Sequence, residues 1–324
     1  MLVTIQGNNY YNMDCIAGCR RHIPKDSIDL IITDPPYGID GNRLHRHYNR
    51  KEEFVIDGYI EIPKEKYNDF SHAWISEGER ILKPGGQIYI LSGYTNLYHI
   101  LDALQATSLL EINHLIWKYN FGVFTKNKFI SSHYHILYYE KPGKKKRNFN
   151  TECRFGLQEK DEYNRSQNYK DREDVWLINR EYKPGQAKNK NELPLKLLVK
   201  LIQYSSNEGD RICDLFMGGF STAKAAIGLN RKFTGFELSK PIFNRCISDI
   251  TSLQSGYLFP SLRKPQRKEI KNQHKSWTEE ETNRFYDRYA ILSKEKMTQK
   301  EILALLSEEF GRGYWSLMKR LAGS

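Results

Sequence analysis

Two hydrophobic periods run through this 324-residue chain. Residues 28–33 (IDLIIT) are a short, β-branched apolar run, the pattern of a parallel strand buried on both faces. The run stops at Asp34-Pro35-Pro36-Tyr37-Gly38, where two prolines cannot extend a ladder. Residues 67–82 read as an amphipathic helix with Phe70, Trp74 and Ile81 on one side. Lys83-Pro84-Gly85-Gly86 predicts a turn, and residues 87–91 (QIYIL) a strand. A helix is expected over 96–106 and strands over 112–118 and 133–140. The pattern dissolves over 141–190, a polar stretch that reads as either a functional insertion or a partly disordered one. Helical spacing returns at 193–204, where Leu197, Leu198, Leu201 and Ile202 follow Pro194. Residues 211–215 form a strand, 216–220 a loop, 221–229 a helix and 232–236 a second strand ending at Glu237. That βαβ spacing predicts a doubly wound α/β sheet. Residues 276–324 predict a small all-α domain of three helices. Trp277, Phe285, Tyr289 and Leu292 face inward from the first. Thr298 caps the second, with Ile302, Leu305 and Leu306 inward, and residues 314–322 form the third. The expected organisation is a catalytic domain over 1–255, a basic linker over 256–275 and the helical domain over 276–324.

Composition narrows the class. Hydrophobic residues at 39% support a packed core, which excludes global disorder. No stretch reaches the length of a membrane helix, and the first residues lack the order of a secretion signal. Five scattered cysteines fit a reduced, cytoplasmic compartment. Cys15 and Cys19 have metal-ligand spacing but no second pair, so no metal is expected. The net charge of +11 is localised: residues 141–150 carry five basic and no acidic groups, and 263–275 carry six basic and one acidic. Two such runs in a chain with 21 tyrosines point to a polyanion such as nucleic acid. Solvated linkers are the plainer explanation.

Two motifs carry chemistry. A Gly-rich turn between a strand and a helix, as at 216–220, lets backbone N–H groups approach a ligand and favours an anionic group at the helix N-terminus. Glu237, at the end of the next strand, is placed to accept two ribose hydroxyls. The loop lacks GxGxxG, so a nucleoside with a short charged tail, such as S-adenosylmethionine, fits as well as a dinucleotide does. A purely structural turn is the alternative. The second motif is sharper: Asp-Pro-Pro-Tyr arises by chance in roughly one chain in a thousand of this length. The prolines fix a rigid loop whose carbonyls face outward as acceptors. Asp34 adds an acceptor, and Tyr37 offers a face to a flat base. Together they suit an exocyclic amino group, which has two N–H donors to satisfy.

The chain resembles the amino (N6-adenine/N4-cytosine) DNA methyltransferases in the circularly permuted order called the β class, over about residues 5–253. Asp14-Cys15 matches the family's opening, Asp34 to Tyr37 its catalytic loop, residues 79–90 the helix–turn–strand after it, Asp174-Val175-Trp176 a marker past the recognition region, and 208–222 its S-adenosylmethionine loop. The resemblance implies a Rossmann-like methyltransferase sheet and a site-specific DNA adenine-N6 methyltransferase acting on a flipped-out base. N4-cytosine transfer and a non-catalytic DNA-binding subunit on the same fold are the alternatives. It implies catalytic roles for Asp34, Pro35, Pro36 and Tyr37. It places the cofactor S-adenosylmethionine against Asp14, Cys15, Asp34, Asn191, Phe216, Gly218, Gly219, Ser221, Thr222, Glu237 and Leu238. The chain departs from the family at Phe220 and Leu215, where a glycine and a proline are usual, and at Leu193, where a lysine is usual. The partner implied is double-stranded DNA in a cytoplasmic, nucleoid-associated setting of restriction–modification. A homodimer and a cognate restriction endonuclease are further partners to test.

DNA contacts are expected from Arg43 and Arg46 after the catalytic loop. Lys144, Lys145, Lys146, Arg154, Arg165 and Arg172 are expected to contribute from the polar 141–190 recognition region, because arginine reads base edges. The last 49 residues resemble a Myb-like or helix-turn-helix module, which adds Arg312, Lys319 and Arg320. Residues 276–324 hold eight acidic and eight basic groups, so a protein-interaction role stands beside the DNA one.

Overall fold

The computed structural model describes residues 1–36, 62–120, 122, 124–144, 146–179, 192–266, 271–272 and 275–323. The chain divides into two compact units, Met1–Pro265 and Gln266–Ser324. Residues 256–265, expected as linker, fold onto the first unit, where the Leu258 N–H donates to the Gly228 carbonyl at 3.1 Å. Among the described residues no helix is long and apolar enough to cross a membrane.

Among the described residues, the first unit is built on a nine-stranded sheet. Its strands are β1 (Leu2–Ile5), β2 (Asn8–Tyr11), β3 (Ile28–Thr33), β4 (Leu82–Ser92), β5 (Leu110–Lys118), β6 (His133–Glu140), β7 (Val175–Leu177), β8 (Arg211–Asp214) and β9 (Lys232–Phe236). Their spatial order is β1-β2-β9-β8-β3-β4-β6-β5-β7. The central pairings β2·β9, β9·β8, β8·β3 and β3·β4 are parallel. The strand 87–91 extends back to Leu82, because the Lys-Pro-Gly-Gly segment continues the ladder through a bulge rather than leaving it.

Two apolar layers sandwich this sheet. Leu30, Ile32 and Ile212 enter one core with the helices Leu195–Ser205, Ser221–Gly228 and Lys240–Thr251. Ile31, Cys213, Ile88 and Ile90 enter the other with the helices Cys15–His22, Tyr67–Ile81 and Leu97–Gln105. Side chains of a strand alternate between faces, so continuous apolar runs such as IDLIIT are what a doubly covered sheet requires. The doubly wound α/β architecture therefore follows as expected.

Residues 141–179 carry little regular structure, only a short helix, Gln167–Asp171, and β7 among the described residues. Polar side chains hold the segment instead. The Asn150 side-chain amide donates to the carbonyls of Gln203 and Ser206, each at 3.0 Å. Asp171 accepts from Arg154 Nε at 2.9 Å and from the Tyr204 hydroxyl at 2.7 Å. Buried Lys200 lies 3.6 Å from the same carboxylate and 4.1 Å from the Trp176 ring centre. Burial lowers its pKa to about 8, against the pull of Asp171.

The second unit contains the helices Glu279–Leu292, Gln299–Phe310 and Tyr314–Ala322. Thr298 caps the second of these in a reciprocal capping box with Glu301. Leu305, expected inward, is exposed, and Leu303 takes its place in the core. At 100° per residue the stripe Ile302, Leu303, Leu306 and Phe310 has its centre roughly 115° from Leu305.

Phe220 stands where the related motif has glycine, and its φ of 63° is left-handed. The ring is fully buried, stacked on Tyr10 at 5.8 Å and edge-on to Phe243. Left-handed backbone costs an ordinary residue about 1–2 kcal/mol, whereas deleting a buried phenyl costs about 3–5 kcal/mol. Packing thus outweighs the strain. Phe220→Gly is expected to lose about 2–3 kcal/mol, and Phe220→Ala roughly 1 kcal/mol more, since alanine keeps the backbone penalty. Urea unfolding of the three proteins checks that order; a Phe220→Ala more stable than Phe220→Gly would contradict it.

Candidate active site

The direction of winding reverses between β8 and β3. From β8 the chain crosses through the helix Ser221–Gly228 to β9 on one side, and from β3 through Tyr67–Ile81 to β4 on the other. Such a switch point opens a crevice beyond the carboxyl ends of the strands. The Asp-Pro-Pro loop leaves the end of β3 and the Gly-rich loop leaves the end of β8. Two motifs about 180 residues apart in sequence thus share one crevice. A buried hydrogen bond ties their roots together: the Thr33 hydroxyl donates to Asp214 Oδ1 at 3.1 Å.

Asp214 sets the shape of the Gly-rich loop. It also accepts from the Phe216 N–H at 3.0 Å. Burial pushes its pKa up to about 6, while hydrogen bonds from Thr222, Phe216 and Thr33 oppose that rise. The Phe216 ring meets Trp74 edge-on at 5.5 Å and tilts against Phe70 at 5.8 Å. Both belong to the helix after the proline loop, and Trp74 is fully buried, so these contacts tie the Gly-rich loop to the packed core.

Glu237 ends β9. Its carboxylate accepts from the Gly218 N–H at 2.9 Å and from the Ser239 N–H at 2.7 Å. Burial raises its pKa to about 7, and Asp214 adds to the rise, against those backbone bonds. Gly218 has φ of +49°, and a methyl group there would meet nothing within 4 Å, so the loop opens to free space. A methyl group at Gly219 would lie 2.3 Å from Glu192 Oε1. Glu192 is thus part of the loop's lining, a residue that the sequence pattern did not single out. Asn12 is another: its amide donates to the Glu237 carbonyl at 2.8 Å and so joins β2 to the site. Asp14 follows on the same edge, capping its helix through the Ala17 N–H at 2.8 Å. Cys15 turns into the core, and burial pushes its thiol well up.

On the other side, Asp34 is half-buried and Pro35 buried. The expectation that the proline carbonyls face outward fails for Pro36. Its carbonyl accepts from the Tyr67 hydroxyl at 2.8 Å, because the neighbouring helix supplies a donor that water would otherwise replace. Thr222, expected against the cofactor, is also used internally: it is buried and bonds Asp214. Ser221 is half-buried at the start of its helix, and Leu238 is exposed. Tyr37, Arg43, Arg46, Lys145 and Asn191 lie outside the described residues.

Residues 28–248 match the model of the N6/N4 DNA methylase family. The chain belongs to that family. It is 31% identical over 242 residues to the Type II methyltransferase M.BamHI of Bacillus amyloliquefaciens, across 70% of this chain and 54% of the relative. It is 29% identical over 242 residues to the Type II methyltransferase M.HinfI of Haemophilus influenzae, across 71% of this chain and 64% of the relative. The chain thus spans between half and two thirds of these relatives. The fold is similar to that of TTHA0409 from Thermus thermophilus, solved with S-adenosyl-L-methionine, with a TM-score of 0.54 and 19% identity over 76% of this chain and 93% of that one.

The expected DNA-contacting residues fare unevenly. Lys144, Lys146, Arg165, Arg172 and Lys319 have exposed side chains. Arg165 pairs with Asp161 at 2.8 Å and lies over Tyr163. Arg154 is half-buried and committed to Asp171, so it braces the segment. Arg320 lies over the Trp277 ring at 5.0 Å. Arg312 is a correction: it is 3% exposed, its guanidinium spans both Glu281 oxygens at 2.9 and 2.6 Å, and it donates to the backbone carbonyls of Asn272, Lys275 and Ser276. It holds the helical unit together and has no face left for phosphate.

The raised Glu237 and Asp214 pKa values have a testable sign. Both groups bind protons more tightly folded than unfolded, so the ligand-free protein loses stability as pH climbs from about 4.5, the ordinary glutamate value, through about 7. Glu237→Gln is expected to melt higher than the parent at pH 8 and to converge with it near pH 4.5. Thermal melts across that range check this; a constant difference would contradict it.

Proposed function

We propose that the chain is a site-specific DNA adenine-N6 methyltransferase, which moves a methyl group from S-adenosylmethionine to an adenine turned out of the duplex. One observation carries the reading. The loop at Asp34-Pro35 and the Gly218–Glu237 lining follow the carboxyl ends of neighbouring strands at the switch point, whose roots are joined by the Thr33–Asp214 hydrogen bond.

The residues fit the cofactor. The Glu237 carboxylate, oriented by two backbone N–H groups, would receive the ribose hydroxyls. Asp14 lies on the same edge for the adenine. The open Gly218 turn admits the amino-acid tail. When bound, the cofactor supplies a methyl group on a positively charged sulfur.

The chain's own work is to make the amino nitrogen nucleophilic. The N6 lone pair is conjugated with the purine ring. Hydrogen bonds from the N6 hydrogens to the Asp34 carboxylate and the Pro35 carbonyl pull the nitrogen toward tetrahedral geometry and stabilise the positive charge that grows on it. Tyr67 occupies the Pro36 carbonyl and fixes the loop, so the base is met by the two residues before it. Asp34 would take up the N6 proton that is released when this nitrogen receives the methyl group and the sulfur keeps the electron pair. Positioning two reactants in line accounts for most of the rate. Tyr37 supplies a stacking face for the extruded base. The aspartate at the first motif position favours adenine over cytosine, because the related cytosine-N4 enzymes usually carry serine there.

Asp34→Ala is expected to lower methyl transfer from tritiated S-adenosylmethionine to DNA by at least roughly a thousandfold, with cofactor affinity within about threefold of the parent. Retention of most turnover would reject the assignment. Digestion of the methylated DNA to nucleosides and mass analysis distinguishes N6-methyladenine from N4-methylcytosine, and sequencing maps the target. Phosphate contacts by the basic segments predict a further result: deleting residues 266–324 should flatten the slope of log affinity against log salt. An unchanged slope would remove that unit from DNA contact.

A further inference from the structure

The loop between β5 and β6, residues 119–132, presents the barest apolar surface among the described residues of the first unit. Phe129 is 99% exposed, Phe124 77% and Ile130 44%. Such exposure is unusual for phenylalanine and marks a surface meant to be covered. Its frame is braced at several points. The Tyr119 N–H donates to the Ser132 carbonyl at 3.0 Å, and the Thr125 hydroxyl donates to the Lys128 carbonyl. Gly122 lies so close to Ile130 that a methyl group would come within 2.2 Å of it. At the base of the loop, Trp117 stacks on Tyr134 at 5.6 Å and donates to the Ile178 carbonyl at 2.8 Å. The result is a finger with an apolar tip.

Its location follows from the strand register. Thr33 pairs with Ile90, Ser92 with His135, and Lys118 with His133. The finger therefore rises from the same edge of the sheet as the Asp-Pro-Pro loop. It stands two to three strand spacings away, about 10–14 Å. Its charge names the covering partner: residues 112–132 contain Lys118, Lys126 and Lys128 and no acidic residue, and all three lysines are exposed. An apolar tip on a segment whose own charges are all basic complements a nucleic acid, whose stacked bases are apolar between two rows of phosphates.

We infer that Phe129 is a wedge that enters the DNA base stack and fills the gap left by the extruded target base. This rests on the proposed methyl transfer and adds to it the device that holds the duplex open. Flipping requires unstacking and unpairing, which is least costly for a base already mismatched. A wedge residue is therefore needed on a paired target and largely dispensable on an unpaired one. The role is separate from that of Tyr37, which meets the flipped base itself.

The test uses the full chain and a duplex carrying the mapped target, either paired normally or opposite an abasic site. Phe129→Ala, at a position that contributes nothing to the core, is expected to lower kcat/KM on the paired duplex by about tenfold or more and on the abasic duplex by less than about threefold. Phe129→Leu should retain most of the paired-duplex activity. With 2-aminopurine at the target position, the emission rise on binding the paired duplex should shrink in Phe129→Ala. Equal losses on both duplexes, or no loss on the paired one, would overturn the wedge. So would conversion of a dimer to a monomer by Phe129→Ala without any substrate-dependent loss, which would make the finger a self-association surface. Absence of methyl transfer by the parent protein on either duplex would instead reject the underlying function, and the fluorescence rise would then test the wedge alone.

Discussion

The whole site depends on β3 and β8 lying side by side, with the Thr33 hydroxyl bonded to the Asp214 carboxylate at the end of that pairing. Neither strand carries a complete function. β3 delivers a rigid acceptor loop, and β8 delivers a turn that shapes itself around Asp214 and leads to Glu237. Only parallel pairing at the switch point sets the two loops beside one crevice. Because both strands are buried on both faces, their register is fixed by apolar packing in two layers. The order of motifs along the chain is then irrelevant to the chemistry; the lateral order of strands is what counts.

The crevice is also under electrostatic tension. Asp214 and Glu237 are carboxylates taken from water, each with its pKa pushed up by burial, and the Asp214 charge adds to the rise at Glu237. Backbone N–H groups and two threonine hydroxyls offset part of that cost. A ligand that donates hydroxyl hydrogens to Glu237 would offset more, so binding is expected to stabilise the folded state. The pair of buried carboxylates is thus a locally unfavourable feature held in place by a well-packed sheet.

The sequence made some of this visible and hid the rest for physical reasons. IDLIIT followed by two prolines, and the strand–loop–helix–strand unit over 211–236, are legible because buried parallel strands leave continuous apolar runs. The hairpin of β1 and β2 is not: LVTI and NNYY are short and partly polar, β1 stays at the surface, and only β2, which pairs with β9, is buried. Residues 141–179 lack a period because polar clasps such as Asn150 and Asp171 order them, not an apolar face. The resemblance of the last 49 residues to a helix-turn-helix module makes Arg312 a candidate DNA contact, but burial against Glu281 decides otherwise. Thr33, Tyr67 and Glu192 were missed since each acts through a partner distant in sequence. The one available signal was Thr33, a hydroxyl closing an otherwise apolar strand beside the proline loop.

The central claim is that the proline loop and the Glu237 pocket serve one bound molecule. A crystal structure with S-adenosylhomocysteine, the demethylated product, tests it most directly. The account predicts ribose hydroxyls on Glu237 and a sulfur facing Asp34 across the crevice. A ligand bound elsewhere, or one whose sulfur points away from Asp34, would contradict it.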